Sequence, residues 1–219
     1  MRSFDARPAP GKFVGDIIIT PDALHEVLLG PLARVLGGYS LMAGTSPYKD
    51  RLGQQIASPQ FSLLNRPTAA RFPEGIDFDA FGIPTADLDV VRDGVLRDFM
   101  VDHYISRKLG LARTAVWHCY EVPPGRKSVD EIIAATERGI ILTRFSGGVP
   151  NDSLDFSGIA KNAFYIEGGT VRHPLAETMI SGNLRELLMA IRDVSRETID
   201  FGGASYPTIA ASGVTIHGR

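Results

Sequence analysis

Apolar residues in the N-terminal part of the chain recur at helical spacing after residue 20. Thr20 and Pro21 supply an N-cap and a first-turn proline, which is a common helix start. The dipeptide Gly30-Pro31 interrupts the pattern, because proline lacks a backbone N–H and crowds the preceding turn. We therefore expect a kinked helix or two short helices. Six residues form the apolar face: Leu24, Val27, Leu28, Leu32, Val35 and Leu36.

The clearest helical pattern covers residues 184–194, near the C-terminal end of the chain. Five apolar residues share one face of this predicted helix: Leu184, Leu187, Leu188, Ile191 and Val194. A shorter helix is predicted near residues 102–109, where Gly110 can end it. Another begins at Ser128, whose spacing to Glu131 is that of a capping box, and extends to about residue 137.

Short apolar runs between these helices predict β-strands. Two hairpins are indicated by the turn dipeptides Asp93-Gly94 and Gly168-Gly169. Many short strands with few helices indicate an α+β fold, with a curved, mostly antiparallel, barrel-like sheet and a few packed helices. We expect residues 1–13 to form an N-terminal linker and residues 14–219 to form one domain. The other predicted strands cover residues 14–19, 61–64, 115–120, 140–145, 154–160 and 214–217.

Composition narrows the possible partners and compartments. The chain has 219 residues and 44% hydrophobic content, which is enough for a substantial core. With 23 basic and 25 acidic residues, its net charge of -2 gives no electrostatic attraction to nucleic acid or anionic membrane. The single cysteine, Cys119, excludes an internal disulfide and suits a reducing cytoplasm. No apolar run has the roughly 18 residues of a membrane span. We expect a cytoplasmic protein with neither nucleic acid nor membrane as a partner.

The sequence contains the beginning of a zinc-peptidase signature but not its second ligand. His25-Glu26 starts as His-Glu-x-x-His does, yet Leu29 occupies the position of the second histidine. The remaining histidines have no ligand spacing, and no Gly-x-Ser-x-Gly nucleophile motif is present. We therefore expect no catalytic residue, no metal ligand and no cofactor. Two alternatives stay open: a self-sufficient metal hydrolase that uses His25, Glu26 and aspartates, or a stand-alone interaction domain.

Two segments rich in small residues are candidates for peptide or partner binding. Glycine and serine allow another backbone to approach closely. The first candidate segment lies between strong apolar strands and contributes Ser146, Gly147, Gly148, Asn151, Asp155, Phe156, Ser157 and Gly158. The second contributes Phe78, Asp79, Gly82 and Thr85.

These segments carry a resemblance to the C-terminal domain of the TldD/TldE (PmbA) peptidase family. The chain has the family's Ser-Gly-rich turn, followed by Asp155-Phe156-Ser157 and a hairpin with a glycine turn. Residues 173–184 and the earlier segment 78–85 also resemble family segments, in family order. The family is also known under the name modulator of DNA gyrase. The matches cover nearly all of residues 14–217.

The resemblance implies a component of a two-subunit metallopeptidase that processes peptides. TldD-like subunits carry a His-Glu-x-x-x-His motif and a cysteine ligand near the C-terminus, whereas TldE-like subunits lack both. Residues 24–34 contain no such histidine pair, and Asp200-Phe201-Gly202-Gly203 stands where many relatives have the cysteine. The resemblance therefore implies a non-catalytic TldE-like chain. Its expected partners are a TldD-like catalytic subunit, a second copy of itself, or both, together with a peptide substrate.

Overall fold

The structure is a computed structural model, and it describes residues 5–114, 119–147, 150 and 153–218. It has these helices: α1 Pro21–Leu24, α2 Gly30–Leu36, α3 Gly38–Met42, α4 His103–Leu109, α5 Val129–Ala134 and α6 Leu184–Met189. A π-helical turn, His25–Leu29, connects α1 to α2. The strands are β1 Lys12–Ile19, β2 Leu63–Asn65, β3 Leu88–Arg92, β4 Val95–Leu96, β5 Tyr120–Glu121, β6 Arg138–Leu142, β7 Arg144–Gly147, β8 Asp155–Lys161, β9 Phe164–Glu167, β10 Thr170–Pro174, β11 Thr178–Asn183, β12 Ile191–Asp200 and β13 Ala204–His217.

The chain divides into two compact units. Unit 1 contains residues 1–31, 124–198 and 207–219, and unit 2 contains residues 32–123 and 199–206. In unit 1, one path of neighbouring strands is β10-β9-β6-β1-β13-β11-β8-β7, and β12 also pairs with β13. In this order only β1 and β6 are parallel, and the other neighbours are antiparallel. In unit 2, the start of β13 pairs in parallel with β5, and the antiparallel order β5-β2-β3-β4 follows.

This topology confirms the predicted α+β class with mostly antiparallel pairing. The sheet is mixed and does not close into a barrel. Both predicted hairpins are present, β3–β4 and β9–β10. In the first, Asp93 and Gly94 both have positive φ, and in the second Gly168 and Gly169 do. Positive φ at both central residues is what a two-residue type I′ turn requires, so the turn residues explain the hairpins.

The core of unit 1 lies between its sheet and α5. Ile18 on β1, Ile166 on β9 and Ala210 on β13 pack against Ile132 of the helix, and all four are fully buried. The predicted capping box starts this helix, since Ser128 Oγ accepts from the Glu131 N–H and the Glu131 carboxylate accepts from the Ser128 N–H. Unit 2 has its own buried apolar side chains: Phe61, Leu63, Val91, Leu96 and Ile105.

The predicted helix over residues 184–194 is wrong in its second half. Helix α6 ends at Met189, and Ile191 and Val194 are buried residues of strand β12. Asn183 starts the helix, because its Oδ1 accepts hydrogen bonds from the N–H groups of Arg185 and Glu186. An apolar spacing that suits a helix face also suits a strand whose two faces are covered. Tertiary burial therefore decides the conformation after Ala190.

Other boundaries also differ from the sequence prediction. The single strand predicted over residues 140–145 is two strands, β6 and β7, separated at Thr143, whose hydroxyl donates to Asn162 O. The helix that begins after Ser128 ends at residue 134 instead of about 137. Most of the predicted strand 115–120 lies outside the described residues. No helix of the described chain is long and apolar enough to cross a membrane.

Candidate functional site

A π-helical turn places His25 against position 30. The Gly30 N–H donates to His25 O, five residues earlier, which closes the π turn. Pro31 explains the wider turn, because its missing N–H and its ring disfavour ordinary α-helical bonding at this point. A Cβ added at Gly30 would lie 3.4 Å from His25 Nε2. The two positions therefore share one face, and only the first has an imidazole.

Glu26, the neighbour of His25, bonds to the backbone of β7. Its Oε2 accepts a hydrogen bond from the Phe145 N–H at 3.2 Å. Strand β7 pairs with β8 along its other edge. The Glu26 carboxylate therefore accepts from an N–H group that would otherwise lie unpaired on the edge of the sheet. Glu26 thus holds a turn of helix against the sheet of unit 1.

The described residues do not fit a zinc site. No group of three His, Cys, Asp or Glu side chains among them is placed to hold a metal ion. A structural or catalytic zinc site needs at least three protein ligands. Within the His-Glu-x-x-x-His spacing, the second ligand position is Gly30, which has no side chain. No reaction step through a metal follows from this arrangement.

Most described residues of the first candidate segment belong to two antiparallel strands, β7 and β8, which we call the β7–β8 hairpin. Ser146 lies opposite Ile159, and Gly147 lies opposite Gly158. Ser146 and Ser157 are exposed. Of the proposed residues, Gly148 and Asn151 lie outside the described residues.

Two aromatic rings fill the space beside the glycines of this hairpin. A Cβ at Gly147 or at Gly158 would lie 2.4 Å from Phe145 Cζ, far inside contact distance. Phe156 packs edge-to-face on Phe145, with ring centroids 6.3 Å apart. Gly182 on β11 leaves room for Phe156 in the same way, at 3.0 Å from its Cζ. These small residues therefore have a packing role within unit 1.

Asp155 also has a contact within unit 1. Its Oδ1 accepts from Asn183 Nδ2 at 2.8 Å, and the same amide group donates to Ser153 O. Asn183 in turn caps α6. The Asp155 carboxylate thus supports the start of that helix.

The second candidate segment is a tight loop built around Asp79. This side chain is fully buried, and its Oδ1 accepts from the N–H groups of Phe81 and Ile83 at 2.9 and 3.0 Å. Its Oδ2 lies 3.5 Å from Arg113 Nη1. The Gly82 N–H closes the turn on Asp79 O, with Gly82 at a φ of +70°.

Both ends of this loop are tied together. The Thr85 N–H donates to Asp77 O, the Thr85 hydroxyl donates to Ile76 O, and Phe78 forms a β-bridge with Pro84. The rings of Phe78 and Phe81 nevertheless face solvent, with 60% and 57% of their surface exposed. A hydrogen-bonded loop that exposes two phenylalanines is a candidate contact surface.

Helix α4 extends this surface. No residue of this helix was among the candidate binding residues predicted from the sequence. The ring of His103 lies 5.4 Å from that of Phe81, and Lys108 Nζ lies 5.7 Å above the ring of Tyr104. His103, Tyr104, Arg107 and Lys108 are all exposed. Their i, i+4 spacing on a short helix was the available signal, and it became meaningful only when the fold placed Phe81 beside it.

Comparisons with known proteins agree with this picture of the fold. Residues 10–218 match the family model described as "PmbA/TldA metallopeptidase C-terminal domain". The chain is 30% identical over 192 residues to a metalloprotease PmbA homolog of Haemophilus influenzae, covering 85% of the chain and 41% of that protein. The metalloprotease TldD homolog of the same organism is 24% identical over 174 residues, covering 72% of the chain and 36% of that protein.

A solved structure from Bacteroides thetaiotaomicron, which carries the name modulator of DNA gyrase, has the same fold. The TM-score is 0.90 at 26% identity, and the match covers 98% of the chain and 49% of that protein. The chain thus spans less than half the length of each of these three relatives.

Proposed function

Because the chain belongs to the PmbA/TldD metallopeptidase family, as its C-terminal domain, we propose that it is the non-catalytic, TldE-like component of a two-subunit peptidase. The observation that carries the proposal is the π turn at His25–Leu29, which aligns positions 25 and 30 and finds glycine at the second. The site that a metal-binding relative would build there lacks its second imidazole. The higher identity to a PmbA homolog than to a TldD homolog of one organism supports the same assignment.

On this proposal, the chain works in the cytoplasm and contributes shape and contacts, while a TldD-like subunit supplies the chemistry. The peptide substrate is processed at the partner's metal. Glu26 supports this division of roles, because its carboxylate is hydrogen-bonded to the edge of β7. We place the contacts with the partner, with a second copy or with peptide at the β7–β8 hairpin and at the loop of residues 78–85.

Co-purification tests the assembly. The chain, coexpressed with a TldD-like subunit of the same genome, should elute with it in size-exclusion chromatography. A double variant, Ser146→Trp with Ser157→Trp, should lose this association, because both serines are exposed on the hairpin. Thr170→Trp, at an exposed position of β10, is the matched control and should still associate.

The outcomes separate the parts of the proposal. If the wild-type chain associates neither with the TldD-like subunit nor with itself, the assembly is wrong. If the double variant associates as well as the wild type, the hairpin is not the interface. A thermal melt of each variant shows whether the unit remains folded.

A further inference from the structure

The loop of residues 78–85 and helix α4 form a surface with a defined chemistry, the α4–loop surface, made of Phe81, His103, Tyr104, Arg107 and Lys108. Phe81 and His103 are in ring contact, and Lys108 lies above Tyr104. His103 and Arg107 are spaced i, i+4 on the helix, which places them on one face. All five side chains are exposed, so unit 2 presents aromatic rings and cations side by side.

Several hydrogen bonds within unit 2 support the conformation of the loop. The buried Asp79 accepts two backbone hydrogen bonds, and Arg113 approaches both Asp79 and Pro84 O. Phe81 is exposed on this loop, and its apolar surface is left in water at a cost that burial by a partner would remove. A loop supported by internal hydrogen bonds loses less conformational entropy on binding than an unsupported one.

The charges of the surface are of one sign. Arg107 and Lys108 are exposed, and no described acidic side chain lies within ion-pair distance of either. Two carboxylates beside this surface are engaged within unit 2: Asp79 is buried against Arg113, and Asp102 Oδ1 accepts from the Ile105 N–H as the N-cap of α4. The surface therefore favours a ligand that combines negative charge with apolar groups.

We propose that the α4–loop surface binds an acidic peptide segment of a partner protein, in which carboxylates alternate with apolar side chains. The carboxylates pair with Arg107 and Lys108, and the apolar side chains cover Phe81 and Tyr104. This rests on the proposed function, since it names the chemistry of a partner contact at the loop of residues 78–85. Nucleic acid is a poorer occupant, because two exposed cations and a chain charge of -2 neutralise few phosphates.

Fluorescence anisotropy tests the proposal with the purified chain alone. The probe is a short fluorescein-labelled peptide that repeats Glu-Leu-Glu-Phe, and the comparison probe has lysine in place of each glutamate. The acidic peptide should bind, more weakly as salt is raised, and the lysine peptide should not. The double variant Arg107→Glu with Lys108→Glu should lose at least about tenfold in affinity, and Phe81→Ala should also weaken binding.

Matched controls lie elsewhere on unit 2. Lys49→Glu with Arg51→Glu makes the same charge change at exposed positions, and Leu52→Ala removes an apolar side chain that is 54% exposed. Both should bind the acidic peptide as the wild type does.

Three results would overturn the proposal. The first is equal affinity of all variants for the acidic peptide. The second is no measurable binding. The third is tighter binding to oligothymidine, or to vesicles of phosphatidylcholine and phosphatidylserine, than to the peptide. If the wild-type chain binds no acidic peptide but still co-purifies with a TldD-like subunit, this inference alone is rejected and the proposed function stands.

Discussion

Several residues that the sequence analysis proposed for recognition make contacts within their own unit. Gly147 and Gly158 leave room for the ring of Phe145, and Asp155 supports the cap of α6. The sequence could show that this segment is rich in small residues but not which side chain fills the space beside them. That depends on the register of β7 against β8, which a single sequence does not encode locally. Partner binding by this segment stays a prediction.

The burial of two tyrosine hydroxyls predicts that the stability of unit 2 depends on pH. Burial raises the pKa of Tyr206 to about 12 from its ordinary value of 10.0, and burial also raises the pKa of Tyr120, with a smaller effect of Tyr206. The folded state therefore favours the neutral phenols. At a pH below the tyrosine pKa of the unfolded chain, the neutral phenols make their full contribution to stability. This contribution is lost as the pH rises from about 10 towards the higher pKa of the folded state.

We predict that the free energy of unfolding falls between about pH 9 and about pH 11, and that it falls less steeply in Tyr206→Phe. The phenylalanine variant has no phenol to ionise, although Tyr120 still contributes. Urea denaturation at both pH values measures this. Tyr39→Phe, at an exposed position, is the control and should behave as the wild type. Equal slopes for the wild type and Tyr206→Phe would contradict the burial argument.

Turn and cap signals predicted elements better than apolar periodicity did. The hairpin turns, the Ser128 capping box and Gly110 at the end of α4 all appear where the sequence indicated them. These signals are local, because they act through the backbone of a few residues. The extent of α6 and the π turn before Gly30 depend on packing and on a proline-disturbed helix. Periodicity alone could not distinguish helix from strand after Ala190.

Helix α6 supplies a direct test of packing at this scale. Leu188 is fully buried, so Leu188→Ala should lower the free energy of unfolding by roughly 2–5 kcal/mol. Met189→Ala, one residue later, removes a side chain that is 49% exposed and should change stability much less. Chemical denaturation of the three proteins measures both effects. An unchanged unfolding midpoint for Leu188→Ala would contradict the placement of this helix face.

At the scale of the whole chain, family membership and the absence of a second histidine at position 30 carry the functional account. The sequence indicated both, because the order of motifs and the absent histidine are visible without coordinates. The reason that position 30 matters was not visible, since a π turn cannot be inferred from residue spacing. The α4–loop surface was also missed in part, because Phe81 and His103 are far apart in sequence and adjacent only in the fold.

The most direct measurement of the central claim is the zinc content of the purified chain. The chain is incubated with excess zinc, desalted and analysed by inductively coupled plasma mass spectrometry, with His25→Ala treated in parallel. We predict far less than one equivalent of zinc in the wild type and no difference in His25→Ala, because Gly30 offers no second imidazole. About one equivalent of tightly bound zinc per chain, lost in His25→Ala, would contradict a non-catalytic role.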